Sequence, residues 1–122
     1  MTTMIQDKNG VIAAAPSSVP DRHFRNAWMF DSAQTAITED ITEAKKIFQD
    51  KIRQVRGPLL DAEDVIYMKA LEADDASAKT ASVAKKKKLR DAPAASAITS
   101  ADTIDKLKAA WDSDVLGASP YK

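Results

Sequence analysis

Residues 38–91 read TEDITEAKKIFQDKIRQVRGPLLDAEDVIYMKALEADDASAKTASVAKKKKLRD, and the spacing of apolar residues along this stretch decides the fold. Asp40-Ile41-Thr42-Glu43 has capping-box form, an acceptor side chain with a glutamate three residues later. Beyond it, Ile41, Ala44, Phe48, Ile52 and Val55 share one helical stripe, with Ile47 beside it. Lys45, Lys46, Asp50, Arg53 and Arg56 fall mostly on the other side, so one face is buried and one is wet. Gly57 is placed to end this helix and Pro58 to begin the next. Over residues 58–73, Leu59, Ala62, Ile66, Ala70 and Ala73 form one stripe. Leu60, Tyr67 and Leu71 form a second, about 100° round the helix. Two stripes predict two neighbours and hence a central helix. Asp74-Asp75 is a turn, with Asp75 able to cap a third helix over residues 76–90. That helix is rich in strong helix formers, Ala and Lys. Val83 and Leu89 are its only large apolar residues, so it is expected to be the most weakly held.

Outward from this core, residues 1–37 read as an extended arm. Asn9-Gly10 is a turn signal, and Pro16 and Pro20 forbid a continuous helix. Short strands are expected near Met4-Ile5 or Val11-Ile12. Asp21 is a candidate cap for one helical turn. Phe24, Trp28 and Phe30 then alternate as in a strand, and a small hairpin of residues 28–30 against 35–37 is expected across Asp31-Ser32-Ala33-Gln34. On the C-terminal side, residues 94–100 read as a linker. Ser100 or Asp102 can cap a short helix that docks through Ile104, Leu107 and Trp111, leaving Lys106 and Lys108 wet. Residues 116–122 have no periodicity. The expected fold is mainly α: a small helical hairpin or three-helix core at 38–91, an N-terminal arm at 1–37 carrying a short β-hairpin, and a linker, short C-terminal helix and tail at 92–122.

Composition narrows the function. The 122 residues suit one small domain, and 18 Lys+Arg against 18 Asp+Glu give no net charge. A nucleic-acid binder usually carries a basic excess. With no cysteine there is no disulfide, thiolate metal site or cysteine nucleophile. The N-terminus lacks a basic n-region, and the apolar run Val11 to Ala15 is too short for a signal sequence or membrane span, so a soluble intracellular product, or one assembled inside a cell, is expected. No nucleophile–base set, phosphate loop or metal-ligand cluster is legible, and His23 stands alone as the one histidine. The expectation is a protein with no enzymatic activity, no catalytic residue, no metal, no cofactor and no small-molecule substrate.

Two stretches carry interaction chemistry. The run Lys85-Lys86-Lys87-Lys88-Leu89-Arg90 invites a nucleic-acid reading, but internal compensation explains it better: the chain reverses at Asp74-Asp75, bringing Asp61 and Asp64 near Lys88 and Lys85, so that Asp61, Glu63 and Asp64 largely match the lysines, and no aromatic is interleaved for base stacking. The other stretch is Arg22, Phe24, Arg25, Asn26, Trp28 and Phe30. Its rings suit a core, and its ring-plus-arginine composition suits a partner-binding anchor. The helical core is small, so at least one face of residues 22–28 is expected to be completed by another chain.

Val19-Pro20-Asp21-Arg22 with Phe24-Arg25-Asn26-Ala27-Trp28 resembles small proteins encoded among the tail genes of tailed bacteriophages. Ile37-Thr38-Glu39-Asp40 opening a helix, the Leu59-Leu60 helix start, and Leu89-Arg90-Asp91-Ala92-Pro93 before a short Leu-Lys helix share the resemblance, which spans residues 19–111. It implies a structural component of the virion tail, tail fibre or baseplate, in contact with other tail proteins and copies of itself. It equally allows a cytoplasmic tail or tail-fibre assembly chaperone absent from the mature particle. It implies no catalytic residue. A nucleic-acid accessory acting through residues 85–90 is the third class.

Overall fold

The helix that begins after Asp40 does not stop at Gly57. In the computed structural model, which describes residues 4–16, 20 and 22–121, α1 runs unbroken over Ile41–Glu72 with Pro58 inside it. The expected Gly57-Pro58 corner is absent, and the two helices foreseen on either side of it are one. A proline inside a helix removes one hydrogen bond and crowds the carbonyl four residues back. Pro58 and Gln54 both lie on the exposed side, where water replaces the lost partner. The buried stripe meanwhile continues through the site, with Phe48 and Ile52 before it and Glu63 and Ala70 after.

Asp40 caps α1, its carboxylate accepting from the Thr42 and Glu43 amides at 3.0 and 3.4 Å. The reciprocal half of a capping box does not form. The Asp40 amide donates instead to the Ala27 carbonyl at 2.8 Å, and the Glu43 carboxylate pairs with Lys46 at 3.2 Å. Asp74 turns the chain at φ +52°, and Asp75 caps α2, Ala76–Asp91, by accepting from the Ala78 amide at 3.0 Å. Helices α1 and α2 form an antiparallel hairpin. Arg56 Nη1 donates to the Arg90 carbonyl at 2.7 Å and Ser82 Oγ to the Glu63 carbonyl at 3.3 Å. Ser82 is buried, and so small a side chain lets the helices approach closely. Leu89 is fully buried, while Val83 is half exposed. The two expected buried stripes of the second half of α1 do not both form: Ala62 and Ile66 of the first and Leu71 of the second stay exposed, while Ala70 is buried and Tyr67 half-buried.

The arm is more folded than its sequence suggests. Strands β1 (Met4–Gln6) and β2 (Ile12–Ala14) pair antiparallel, with Ile5 opposite Ala13. Gly10 supplies the turn at φ +85°. A 3-10 helix spans Arg22–Ala27 and holds Phe24, which is therefore not in a strand; the expected cap, Asp21, lies outside the described residues. Strand β3, Trp28–Phe30, pairs with β4, Ile37–Glu39, placing Phe30 opposite Ile37. The second strand thus starts two residues later than expected. Asp31 explains the shift: its carboxylate accepts from the Thr35 amide (2.8 Å), the Thr35 hydroxyl (3.1 Å) and the Ala36 amide (3.3 Å), drawing residues 35 and 36 into the loop.

After α2 comes a 3-10 turn, Ala92–Ala94, then α3 (Ser96–Thr99), α4 (Ile104–Ala109) and α5 (Ser113–Leu116). The expected linker is partly helical because Ile98 inserts into the core. The cap of α4 is Thr103, whose hydroxyl accepts from the Lys106 amide at 3.2 Å, rather than Ser100 or Asp102. Leu107 and Trp111 are buried as expected, and Lys106 is exposed, but Lys108 is only partly so. The tail returns to the core. Trp111 Nε1 donates to the Gly117 carbonyl at 2.9 Å, and Tyr121 stacks on both Phe24 and Phe48 at 5.3 Å between centroids. One apolar cluster thus joins Phe24 from the arm, Phe48 and Ile52 from α1, Leu89 from α2, and Ile98, Leu107, Trp111 and Tyr121 from the C-terminal segment.

Candidate interaction surface

The segment Arg22 to Phe30 divides into a buried half and an exposed half. Phe24 and Trp28 are 0% and 2% exposed. The expectation that the chain's own core cannot cover Phe24, Trp28, Phe30 and Trp111 together is corrected in part: Phe24 and Trp111 share one cluster with Tyr121 and the C-terminal helices, Trp28 is buried outside that cluster, and Phe30 alone is left partly open. Phe30 is half-buried, and Arg22, Arg25 and Asn26 face solvent. The 3-10 helix sets this division, since Phe24 and Ala27 point inward and the polar residues between them point out.

The first hairpin frames the exposed half. Asp7 sits in its turn, with a carboxylate accepting from the Asn9 and Val11 amides at 2.9 Å and from the Phe30 amide at 3.0 Å. The Phe30 amide first, then those of Val11 and Asn9, hold its carboxyl below the usual range against the opposing effect of burial. The neighbouring Lys8 amide donates to the Trp28 carbonyl at 3.0 Å. The Lys8 ammonium lies 3.2 Å from Asp40, and this partner is the main reason the Asp40 carboxyl is also lowered. The hairpin turn is thereby tied to β3 and to the start of α1.

Two open clefts meet at Arg25. One, of about 590 Å³, is polar and lined by Gln6, Asp7, Lys8, Arg25, Asn26 and Glu43. The other, of about 490 Å³, is lined by Met4, Ile5, Ala15, Pro16, Arg22, Arg25 and Trp28. The Arg25 guanidinium lies 5.4 Å from the centre of the Trp28 ring, a cation–π arrangement. Neither Arg22 nor Arg25 forms an ion pair among the described residues. Both therefore offer donors to a carboxylate or carbonyl from outside. Of the six residues singled out in the sequence, Arg22, Arg25 and Asn26 present polar groups, Phe30 lies at the edge, and Phe24 and Trp28 support them from beneath. Gln6, Asp7 and Lys8 complete the surface and were not singled out. The signal for them was an aspartate two residues before Asn9-Gly10, the pattern of a side chain that closes its own turn.

The lysine run is largely compensated within the chain. Lys85 lies 3.6 Å from Glu63, Lys86 lies 2.6 Å from Asp64 and 4.7 Å from the centre of the Tyr67 ring, and Lys87 lies 2.8 Å from Asp91. Glu63 and Asp64 are two of the three acids expected to match the run, but the individual pairs differ. Asp64 takes Lys86 rather than Lys85, and neither Asp61 nor Lys88 forms an ion pair among the described residues. His23 is exposed and meets Tyr121 edge-on at 5.1 Å. No group of three or more metal-ligating side chains is present among the described residues, and no described helix is long and apolar enough to cross a membrane. No family model matches the chain, and no curated protein or solved structure is significantly similar to it.

Proposed function

We propose that this protein is a non-enzymatic structural component of a bacteriophage tail, a tail, tail-fibre or baseplate accessory that acts through contacts with other tail proteins. The observation that carries the reading is the double character of residues 22–30. The stretch that resembles tail-gene products is anchored by two buried rings and displays two arginines without an ion pair among the described residues, beside Asn26, at the meeting of two clefts. An exposed, ring-supported arginine is a common centre of a protein–protein contact. The partner chemistry that fits is an acidic or carbonyl-rich loop, which Arg25 and Asn26 can bind through several donors at once.

Mass spectrometry of purified particles tests this function. Stoichiometric presence of the chain in mature tails is the expected result. Production in the infected cell with absence from the particle would overturn the structural assignment in favour of an assembly chaperone.

A further inference from the structure

Of the two clefts that meet at Arg25, only one has a charge preference. The polar cleft sets Lys8 and Arg25 against Asp7 and Glu43. Three of these four are already engaged: Asp7 by three amides, Glu43 by Lys46 and Lys8 by Asp40. The other cleft, of about 490 Å³, is lined by Arg22 and Arg25 and by no acidic side chain among the described residues. Glu39 stands opposite Trp28 in the β3–β4 register but is not part of that lining. Arg22 and Arg25 are three residues apart in the 3-10 helix, a spacing that puts both on one side of it. The helix kinks between them at Phe24 (φ −112°, ψ 27°), and both still reach the cleft. Both are exposed, and neither forms an ion pair among the described residues. The remaining walls are apolar: Met4 and Ile5 of β1, Ala15 and Pro16 after β2, and Trp28 of β3. Met4 is 58% exposed, Ile5, Ala15 and Pro16 are half-buried, and Trp28 is buried. So short and open an apolar wall can cover one side chain, whereas a long acyl chain needs a pocket that encloses it.

Two guanidinium groups beside a small apolar wall fit a carboxylate with an apolar group attached close to it. A guanidinium binds a carboxylate through paired N–H···O bonds, and two can share one carboxylate. An aspartate or glutamate inside a loop must take its apolar neighbour from another residue. A chain that ends in an apolar residue carries the carboxylate and the apolar side chain on a single Cα. We infer that this cleft takes the C-terminal carboxylate and last apolar side chain of a partner protein. The inference rests on the proposed contact role of residues 22–30 and names the acidic segment of the partner that makes the contact, a chain end. The contact is small and its arginines are open to water, so it is weak in isolation and weakens as salt is raised.

The test is a nuclear magnetic resonance titration of the ¹⁵N-labelled full chain. The probe is an acetylated five-residue peptide of glycine and serine that ends in leucine with a free carboxylate, taken to about 5 mM. Saturable shifts at Ile5, Ala15, Arg25 and Trp28 are expected, with a Kd on the order of 0.1–1 mM. The same peptide with a C-terminal amide should bind at least about tenfold more weakly, and one ending in glycine several-fold more weakly. Arg22→Gln with Arg25→Gln should weaken binding of the leucine peptide by at least about tenfold. So should Met4→Glu, which sets an acid in the cleft from an exposed position; the dispersed spectrum of each variant shows that it is folded. No shift in the cleft overturns the inference, as does equal binding of acid and amide or of the leucine and glycine ends. An amidated peptide with an internal Glu-Leu pair that binds as tightly as the free acid makes a loop the partner and overturns it. Octanoate that binds more tightly than the peptide makes a small carboxylate the ligand and overturns it too. A chain that fails these titrations but still enters particles, and loses incorporation on Arg25→Glu with Asn26→Ala, refutes the chain end alone and leaves the tail contact standing.

Discussion

Asp7 holds the arm to the rest of the molecule. Three amides from two hairpins converge on its carboxylate, and the ion pair at Lys8 lies next to it. A carboxyl whose pKa is lowered in the folded state contributes stability above its unfolded value, near 3.9, and loses that contribution as pH falls through the lowered folded value. Asp7→Ala should therefore lower the melting temperature at pH 7, and its gap from wild type should narrow progressively below about pH 4. Thermal melts of the two proteins between pH 2 and 7 check this; a gap independent of pH would mean the carboxylate charge is not what binds the amides. Tyr121 shows the limit of reading residues one at a time. It stands in a segment without periodicity, so no pattern marks it as core, yet it stacks on Phe24 and Phe48. Only the return of residues 117–121 over Trp111 brings it there, and that is a tertiary event with no local signature.

The caps of the two long helices were legible at the level of elements because they are local: Asp40 and Asp75 each bind amides within three residues. The Gly57-Pro58 break was misread for a physical reason. Its local cost is real, but it falls on the wet face, and the packing stripe gains by continuing to Ala70. If α1 is continuous at residue 58, Pro58→Ala supplies a missing hydrogen bond and removes a clash in an exposed helix interior. It should stabilise the protein by roughly 1–3 kcal/mol. Urea unfolding measures this; an unchanged or lower midpoint would restore the corner. The β3–β4 hairpin was legible in its first strand and displaced in its second, because the Asp31 carboxylate sets the loop length and its three hydrogen bonds cannot be counted from hydrophobic alternation.

Across the whole molecule, an arm, a hairpin and a C-terminal segment share one core. The arm's rings were readable as core or as anchor, and for Phe24 the choice depended on the cover that the C-terminal residues provide. Phe24 and Trp28 are covered; Arg22, Arg25 and Asn26 are not. The candidate site was thus legible in its chemistry, while its frame of Gln6, Asp7 and Lys8 depended on the two N-terminal hairpins meeting, which no stretch of sequence announces. Under the proposed function, the exposed polar half of residues 22–30 is the part that other tail proteins contact. The direct measurement is incorporation of an Arg25→Glu, Asn26→Ala chain into particles, quantified against wild type in the same infection, beside the melting temperatures of both purified chains. Closely similar melting temperatures are expected, with at least a tenfold loss of incorporation, corresponding to about 1.4 kcal/mol or more of contact energy. Incorporation at the wild-type level by a folded variant would contradict it.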